Sequence, residues 1–170
     1  MRHIRNLSKK APSRDERVDV NSVICDVIEM TRKEATENGV TIRTDPPQGL
    51  AFVQGSRVEL QQVLLNLIMN AIEAMSEMNN GTREMRISVT RTEAAEVLVS
   101  VRDTGPALAP ETLRRLFRAF HTTKPDGLGL GLSICRSISQ AHGGRLWANA
   151  DGRCGAVFQF SLPAHAECIE

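Results

Sequence analysis

The 170-residue sequence predicts an α/β fold, a two-layer sandwich in which helices cover one face of a mixed β-sheet. Strand-like segments occur in adjacent pairs between single helices, and this order favours a mixed sheet over a parallel, doubly wound sheet. Hydrophobic residues make up 41% of the chain and charged residues 24%, which is typical of a soluble globular protein. Element order and composition together predict one domain with its own hydrophobic core.

The composition also excludes several classes of partner. A net charge of +1 creates no field that would attract nucleic acid or an anionic membrane, and a single Trp with no Tyr offers little surface for base stacking. No apolar run reaches the length of a spanning helix, about 18 residues, and no apolar stretch follows the basic N-terminus as it would in a secretory signal. We therefore expect a cytoplasmic protein with no nucleic-acid partner and no membrane segment.

The first half of the domain is predicted to contain one helix and two short strands. Apolar residues recur at helical spacing over residues 20–37, which indicates an amphipathic helix. Short strands are predicted at 40–43 and 50–53, on either side of a proline-rich turn. The polar and basic residues 1–18 are interpreted as the end of an upstream helix followed by a linker.

A long helix is predicted to begin after Ser56, because Ser56 and Glu59 form a capping box in which each side chain satisfies an exposed helix amide. This helix extends to about Met78. Paired strands follow at 85–91 and 97–102, where apolar residues alternate with polar ones.

The last part of the chain is predicted to close the sheet. Residues 103–127 are irregular apart from a short helix at 111–117, and a further helix covers 130–142. Two strands at 145–150 and 156–162 flank an Asp-Gly turn. The predicted organisation is an upstream helix end and linker (1–18), the domain (19–163) and a C-terminal tail (164–170).

The four cysteines suggest neither a metal site nor a redox motif. No two of them are close enough in sequence to form a C-x-x-C pair. Cys25 and Cys135 lie among apolar residues of predicted helices, so we expect both to be small core side chains.

Two amides stand out in the apolar helix that follows Ser56. Asn66 and Asn70 are four residues apart and therefore share one helix face, which Glu59 and Glu73 extend in both directions. One interpretation is that both amides bond to neighbouring backbone in the core. The other is that their carbonyl oxygens face a cavity, where one of them can ligate a hard cation such as Mg²⁺.

A strand that ends on Asp103 and then reaches Gly105 indicates a ligand site or a turn. A carboxylate at a strand end can accept a hydrogen bond from an exocyclic amine such as that of adenine. Gly105 would let a flat ligand approach the backbone closely. The alternative is an ordinary Asx-type turn, in which the carboxylate bonds to local backbone.

Alternating glycines precede the helix predicted at 130–142 and suggest an anion site. Such glycines free backbone amides to form a nest, with the positive end of the helix behind it. The pattern is neither the dinucleotide fingerprint nor a Walker A sequence, and Lys124 is near enough to reach the same anion. The alternating residues are Gly127, Leu128, Gly129, Leu130 and Gly131.

Taken in order, these pieces resemble the catalytic domain of sensor histidine kinases, within the superfamily that also holds DNA gyrase, Hsp90 and MutL. The resemblance covers roughly residues 18–163, and the sequences of the motifs are most similar to those of the oxygen- and nitrogen-responsive kinases. It implies the Bergerat-type ATP-binding sandwich, which agrees with the predicted element order. The matching motifs are the N box (59–75), the G1 box (103–105), the F box (117–124) and the G2 box (127–131).

The resemblance also implies the ligands, ATP or ADP with Mg²⁺, and assigns roles by position. Asn70 would ligate Mg²⁺, Asn66 would support the phosphates, and Asp103 would accept a hydrogen bond from the adenine amine. Asn66 and Lys124 would be the catalytic residues. The implied nucleotide-binding residues are Asn66, Asn70, Glu73, Asp103, Gly105, Thr123, Lys124, Gly127, Leu128, Gly129, Leu130 and Gly131.

Position 66 separates two classes within the superfamily. Hydrolysing relatives place a Glu four residues before the metal-binding Asn, whereas this chain has Asn66, and an amide cannot take a proton from water as a carboxylate can. We therefore expect a kinase rather than an ATP-hydrolysing clamp. A degenerate docking module is a third reading, supported only by Ala107, which stands where the G1 box usually has a second Gly and would be strained if that position required a positive φ.

The resemblance implies a transferase that works with other protein segments. The domain would pass the γ-phosphate of ATP to a histidine on upstream dimerisation helices, and a response regulator would then receive it. His3 lies too near the domain to be that histidine, and residues 1–10 look like the end of the second dimerisation helix. This chain alone should therefore bind nucleotide without phosphorylating itself.

Overall fold

A computed structural model describes residues 15–46, 49–79, 81–107, 109–115, 128–150 and 155–165. The elements are β1 (Glu16–Asp19), α1 (Val20–Glu37), β2 (Thr41–Thr44), β3 (Phe52–Gly55), α2 (Arg57–Ser76), β4 (Glu84–Arg91), β5 (Glu96–Asp103), α3 (Pro110–Arg115), α4 (Leu128–Ala141), β6 (Arg145–Ala150) and β7 (Ala156–Pro163). Every element predicted between residues 20 and 163 is present, with ends that shift by a few residues, whereas the upstream helix end predicted in residues 1–10 lies outside the described residues. The one addition among the described residues is β1, which lies in the predicted linker.

The main sheet has five strands in the order β2-β4-β5-β7-β6. The outer strand β2 runs parallel to β4, and the other neighbouring strands are antiparallel, so the sheet is mixed as predicted. Along β5 the side chains of Val97, Val99 and Val101 are completely buried, while the residues between them are partly or largely exposed. This alternation shows that one face of the sheet packs against helices, which confirms the two-layer sandwich.

Helix α2 lies at the centre of the helical layer. It packs against α1 on one side, α4 on the other and β5 beneath. Leu64, Leu67, Ile68, Ile72 and Met75 are fully buried, which explains why its sequence is apolar on more than one face. Among the described residues, no helix is long and apolar enough to cross a membrane.

The two short strands predicted on either side of the proline-rich turn do not pair with each other. Strand β2 joins the main sheet, whereas β3 pairs antiparallel with β1 in a second, two-stranded sheet. Ala164 forms a bridge with Val53, and the amide of His165 donates to the carbonyl of Phe52 at 2.7 Å. The start of the predicted tail is therefore attached to the fold, and the described fold begins at β1, before residue 19.

The N-terminus of α2 is capped in a different way from the predicted reciprocal box. The Ser56 hydroxyl accepts from the amide of Glu59 at 3.2 Å, as expected. The amide of Ser56, however, donates to Nε2 of His142 at 3.0 Å, and Nδ1 of the same ring lies 2.9 Å from the carbonyl oxygen of Ile138. The end of α4 is thus anchored to the start of α2 through a histidine whose side chain is only 1% exposed.

The two helical cysteines occupy different environments. Cys135 is completely buried in α4, as predicted, but Cys25 is exposed on α1 and is not a core residue. The apolar neighbours Val23, Ile24 and Val27 take the buried face of α1, and this leaves residue 25 on the outer face.

Candidate functional site

The amide stripe of α2 remains polar and accessible inside the helical layer. Asn66 and Asn70 are both partly buried. The nitrogen of Asn66 donates to Sγ of Cys135 at 3.4 Å, and within the described part of the chain the side chain of Asn70 makes no hydrogen bond. Among the described residues, neither amide makes the bonds to neighbouring backbone that the structural interpretation of the pair expects. Glu73, one turn further along, is also partly buried.

The start of α4 meets this stripe at Gly131. A Cβ added to Gly131 would lie 3.4 Å from Nδ2 and 3.9 Å from Oδ1 of Asn66. The predicted G2 glycines and the predicted N box are therefore in contact, although 65 positions separate the two residues in sequence.

The prediction of a glycine nest ahead of the helix is wrong about where the helix begins. Helix α4 begins at Leu128, two residues earlier than predicted, so Gly129 lies in its first turn rather than in a preceding loop. Gly131 also lacks the positive φ that a nest requires. The backbone donors at this point are the first amides of a 14-residue helix, which have no partner within the helix and favour an anion.

The carboxylate of Asp103, at the end of β5, forms a turn with the following backbone and is also buried. Its Oδ1 accepts from the amide of Gly105 at 2.8 Å, which is the Asx-type turn considered as an alternative. The side chain is only 3% exposed, so the turn holds a carboxylate inside the fold. Gly105 packs against α2, where a Cβ would lie 3.4 Å from Cβ of Ala74 and 3.5 Å from Cγ of Met75. The turn therefore faces the C-terminal part of the amide stripe.

Gly155 supports Asp103 from the neighbouring strand, a role that the sequence did not reveal. It has φ +83, and a Cβ there would overlap the carbonyl oxygen of Asp103. Only glycine permits both this backbone conformation and this approach. The signal in the sequence is a single glycine immediately before β7, and its neighbours in the sequence do not indicate what it touches.

These features form an elongated site along α2. The N-terminal turn of α4 lies against Asn66, and the Asp103 turn lies against Ala74. Eight residues of helix separate the two contacts, a distance of about 12 Å at 1.5 Å per residue. An open pocket of about 600 Å³ lies beside Gly105 and is lined by Met78, Asn79, Gly81, Thr82, Thr104, Gly105 and Pro106.

The groups at the Asn66 end are neutral. Burial raises the pKa of the Cys135 thiol to about 11, against the smaller opposing effect of the Asn66 hydrogen bond. The thiol therefore keeps its proton at neutral pH. Among the described residues, no three His, Cys, Asp or Glu side chains cluster in a way that could hold a metal ion. A cation at this site would depend on amide oxygens and on oxygens of the ligand itself.

Ala107 carries no backbone strain. Ala95 is the one non-glycine residue with a positive φ in the described part of the chain, at 61°. The concern that alanine replaces a glycine with a positive φ in the G1 box is therefore unfounded, and the argument for a degenerate module loses its support.

Several predicted site residues fall outside these observations. Thr123, Lys124 and Gly127 lie outside the described residues. For Leu128, Gly129 and Leu130 only the backbone is described, in the first turn of α4. The structure thus brings together the residues of three motifs, and those of the F box stay a prediction.

Comparisons with known proteins agree with this arrangement. Residues 55–166 match the family of histidine kinase-, DNA gyrase B- and HSP90-like ATPases. The sensor protein FixL of Bradyrhizobium diazoefficiens is 44% identical over 135 residues, which cover 78% of this chain and 26% of FixL. The chain thus spans about a quarter of that relative's length.

Solved structures of histidine kinases share the fold. Full-length ShkA in complex with AMPPNP is 30% identical and has a TM-score of 0.78, covering 93% of this chain and 33% of ShkA. ThkA in complex with the response regulator TrrA is also 30% identical, with a TM-score of 0.74, covering 96% of this chain and 46% of ThkA. On sequence and on fold alike, the chain belongs to the family of histidine kinase-, DNA gyrase B- and HSP90-like ATPases.

Proposed function

We propose that this domain binds Mg·ATP along α2 and transfers the γ-phosphate to a histidine on the dimerisation helices of the same protein. One observation carries the proposal: a single helix joins a buried carboxylate turn, an amide stripe and a glycine-rich helix start. A response regulator would then receive the phosphate, as the structure of ThkA with TrrA suggests for a relative. Because the reaction uses ATP, the proposal also places the domain in the cytoplasm.

The adenine ring would lie at the Asp103 end of the site. A buried carboxylate is a strong acceptor for the exocyclic amine, since hydrogen bonds to charged groups exceed those between neutral groups. Gly105 itself packs against α2 at Ala74 and Met75, and the open pocket of about 600 Å³ beside it would hold the flat ring. The phosphates would extend toward Asn66 and the first amides of α4.

Mg²⁺ fits the amide stripe by the chemistry of its donors. The side-chain oxygens of Asn66 and Asn70 accept no hydrogen bond from any described residue, and amide oxygens suit a hard cation. Bound there with the nucleotide, Mg²⁺ would neutralise charge on the phosphates during a loose phosphoryl transfer. Asn70 would hold the ion, and Thr123 and Lys124 would approach the γ-phosphate from the lid.

Transfer rather than hydrolysis is favoured by the surroundings of residue 66. Within the described part of the chain, Gly131 lies against Asn66 and Cys135 accepts its hydrogen bond, and neither is a carboxylate that could activate water. His142 is unsuited to be the acceptor histidine, because its side chain is buried and both of its ring nitrogens have partners, and the resemblance to sensor kinases implies an acceptor on the dimerisation helices. The chain should therefore turn over ATP slowly and form no phosphohistidine by itself.

The test is calorimetric titration of the chain with Mg·ADP and with a non-hydrolysable Mg·ATP analogue, before and after Asp103→Asn. Loss of the charged acceptor should reduce the affinity for both nucleotides by about 10- to 100-fold, which corresponds to the free energy of a hydrogen bond to a charged group. Glu96→Gln removes one carboxylate from the opposite end of the same strand and should leave both affinities unchanged.

Three outcomes would contradict the proposal or a part of it. If the parent chain binds neither nucleotide, the domain is a docking module that does not use ATP. If the chain binds ATP and hydrolyses it steadily, it is an ATP-driven clamp of the same superfamily. Equal weakening by Asp103→Asn and Glu96→Gln would show that adenine is recognised somewhere other than at Asp103.

A further inference from the structure

The contact between α2 and α4 at the phosphate end of the site is a short chain of hydrogen bonds. Nδ2 of Asn66 donates to Sγ of Cys135 at 3.4 Å. The thiol of Cys135 in turn donates to the backbone carbonyl of Val63 at 3.9 Å, one turn earlier on α2. A thiol has a single proton, so its use on Val63 leaves the sulfur lone pairs to accept from the amide.

The position of Cys135 fixes the direction of these hydrogen bonds, which run from the amide of Asn66 to the thiol and from the thiol to the carbonyl of Val63. The side chain is completely buried in α4. Its thiol donates to Val63 while the sulfur accepts from Asn66. A thiolate at this point would lose the bond to the carbonyl and place a charge in the core.

The chain of bonds fixes which atom of Asn66 is available to a ligand. With Nδ2 committed to sulfur, Oδ1 is the atom left without a partner among the described residues. Gly131 lies alongside the amide and has no side chain that could hold it in another orientation. Cys135 is the one described side chain that hydrogen-bonds to Asn66.

We propose that Cys135 is a positioning residue of the nucleotide site, whose thiol turns the amide of Asn66 so that its carbonyl oxygen faces the ligand. The inference rests on the proposed function and sharpens one role in it. A phosphate oxygen and Oδ1 are both acceptors and cannot bond to each other. Asn66 therefore supports the phosphates indirectly, through Mg²⁺ or a water that Mg²⁺ holds.

The test compares nucleotide affinity with and without the metal. A non-hydrolysable ATP analogue is titrated into the chain with Mg²⁺ and again with a chelator, and the ratio of the two affinities is measured. Cys135→Ala should reduce this ratio by about three- to tenfold, the size of one hydrogen bond, and leave the metal-free affinity unchanged. Cys135→Ser should restore most of the ratio, because a hydroxyl also accepts and donates.

Ser139→Ala is the matched control for damage to the helix. Ser139 is buried one turn later on α4, and its hydroxyl donates to the carbonyl of Cys135 at 3.0 Å without touching Asn66. This variant should change the stability of the domain but not the ratio of affinities. A drop in the ratio equal to that of Cys135→Ala would mean that general loosening of α4 is responsible, and would overturn the proposal.

A double-mutant cycle with Asn66→Ala decides whether Cys135 acts through the amide. If it does, Asn66→Ala lowers the ratio and adding Cys135→Ala lowers it no further. A second, equal drop in the double variant, or no drop in Cys135→Ala alone, would overturn the inference. Failure of the proposed function looks different, because the parent chain would then bind no nucleotide at all.

Discussion

The two ends of the site hold their main polar side chain in different ways. Asp103 is buried, accepts from the amide of Gly105 at 2.8 Å and has Gly155 packed against its carbonyl. Asn66 is only partly buried, and its nitrogen donates to the sulfur of Cys135 across 3.4 Å. Charge-assisted hydrogen bonds are about twice as strong as neutral ones, whereas a thiol is a weak acceptor. Among the described residues, the Asp103 side chain is therefore held by several contacts of the fold, and the Asn66 side chain by one weak hydrogen bond.

This difference indicates that the two ends of the site along α2 have different roles. A fixed acceptor suits recognition of a flat base, because the position of the donor does not change during a reaction. An amide that is oriented but not locked would suit the end where, under the proposed function, the phosphates and their metal rearrange. Substitutions near Asp103 should therefore act mainly through stability and preorganisation, and substitutions near Asn66 mainly through metal-dependent affinity.

The largest effect is expected from Gly155→Ala, which tests how rigid the Asp103 end is. The new Cβ would overlap the carbonyl oxygen of Asp103, and alanine would have to adopt φ +83. We expect a loss of about 3 kcal/mol or more in the free energy of unfolding, from strain and overpacking combined. Denaturant unfolding measures this, and the same variant should lose nucleotide affinity.

Gly39→Ala is the control for backbone strain alone. Gly39 has φ +67 with no atom near its Cβ position, so only the conformational penalty, about 1 kcal/mol, applies. If both variants lose the same stability, Gly155 does not hold Asp103 by close packing and the contrast between the two ends is weaker than described.

A smaller effect is expected from Gly55→Ala, which tests how α4 is anchored. A Cβ at residue 55 would lie 2.6 Å from Nε2 of His142, so the buried ring must move and the bond from the amide of Ser56 is lost. We expect unfolding to become easier by about 1–3 kcal/mol, measured by denaturant titration. In a His142→Ala background the same substitution should have little further effect, and a full second loss would show that the ring is not the cause.

The smallest effect is a dependence on alkaline pH at the Asn66 end. Burial raises the pKa of the Cys135 thiol from 9.0 to about 11, so the unfolded chain releases this proton first as the pH rises. Stability should therefore fall between pH 9 and about pH 11, by at most about 3 kcal/mol for this group. The difference in unfolding free energy between the parent and Cys135→Ala, followed against pH, isolates the effect.

Cys25→Ser provides the comparison for that titration. It removes an exposed thiol from α1 and should leave the alkaline slope as it is in the parent. If Cys25→Ser flattens the slope and Cys135→Ala does not, the buried thiol is not the group responsible. The absence of tyrosine from the sequence simplifies the measurement, since no phenol ionises in the same range.

Most of the fold was predictable because the signals are local. Helical periodicity located α1 and α2 within two residues of their observed ends, and alternation located β4 and β5 within one. Strand β1 has only four residues and no alternating pattern, and it exists because it pairs with β3. The predicted pairing of Glu59 with the amide of Ser56 failed for a similar reason, since His142 takes that amide from 86 residues away.

The sequence by itself determined the fold class, the family and the residues of three motifs, because the spacing of residues within a helix or at a strand end depends only on positions close together in the sequence. Only the tertiary structure decided which atoms those residues present. Cys135 accepts a hydrogen bond from Asn66 across 69 residues of sequence, and Gly155 packs against the carbonyl of Asp103 from the position immediately before β7. Contacts of this kind depend on how the helices and the sheet pack against each other, and no local pattern encodes that packing.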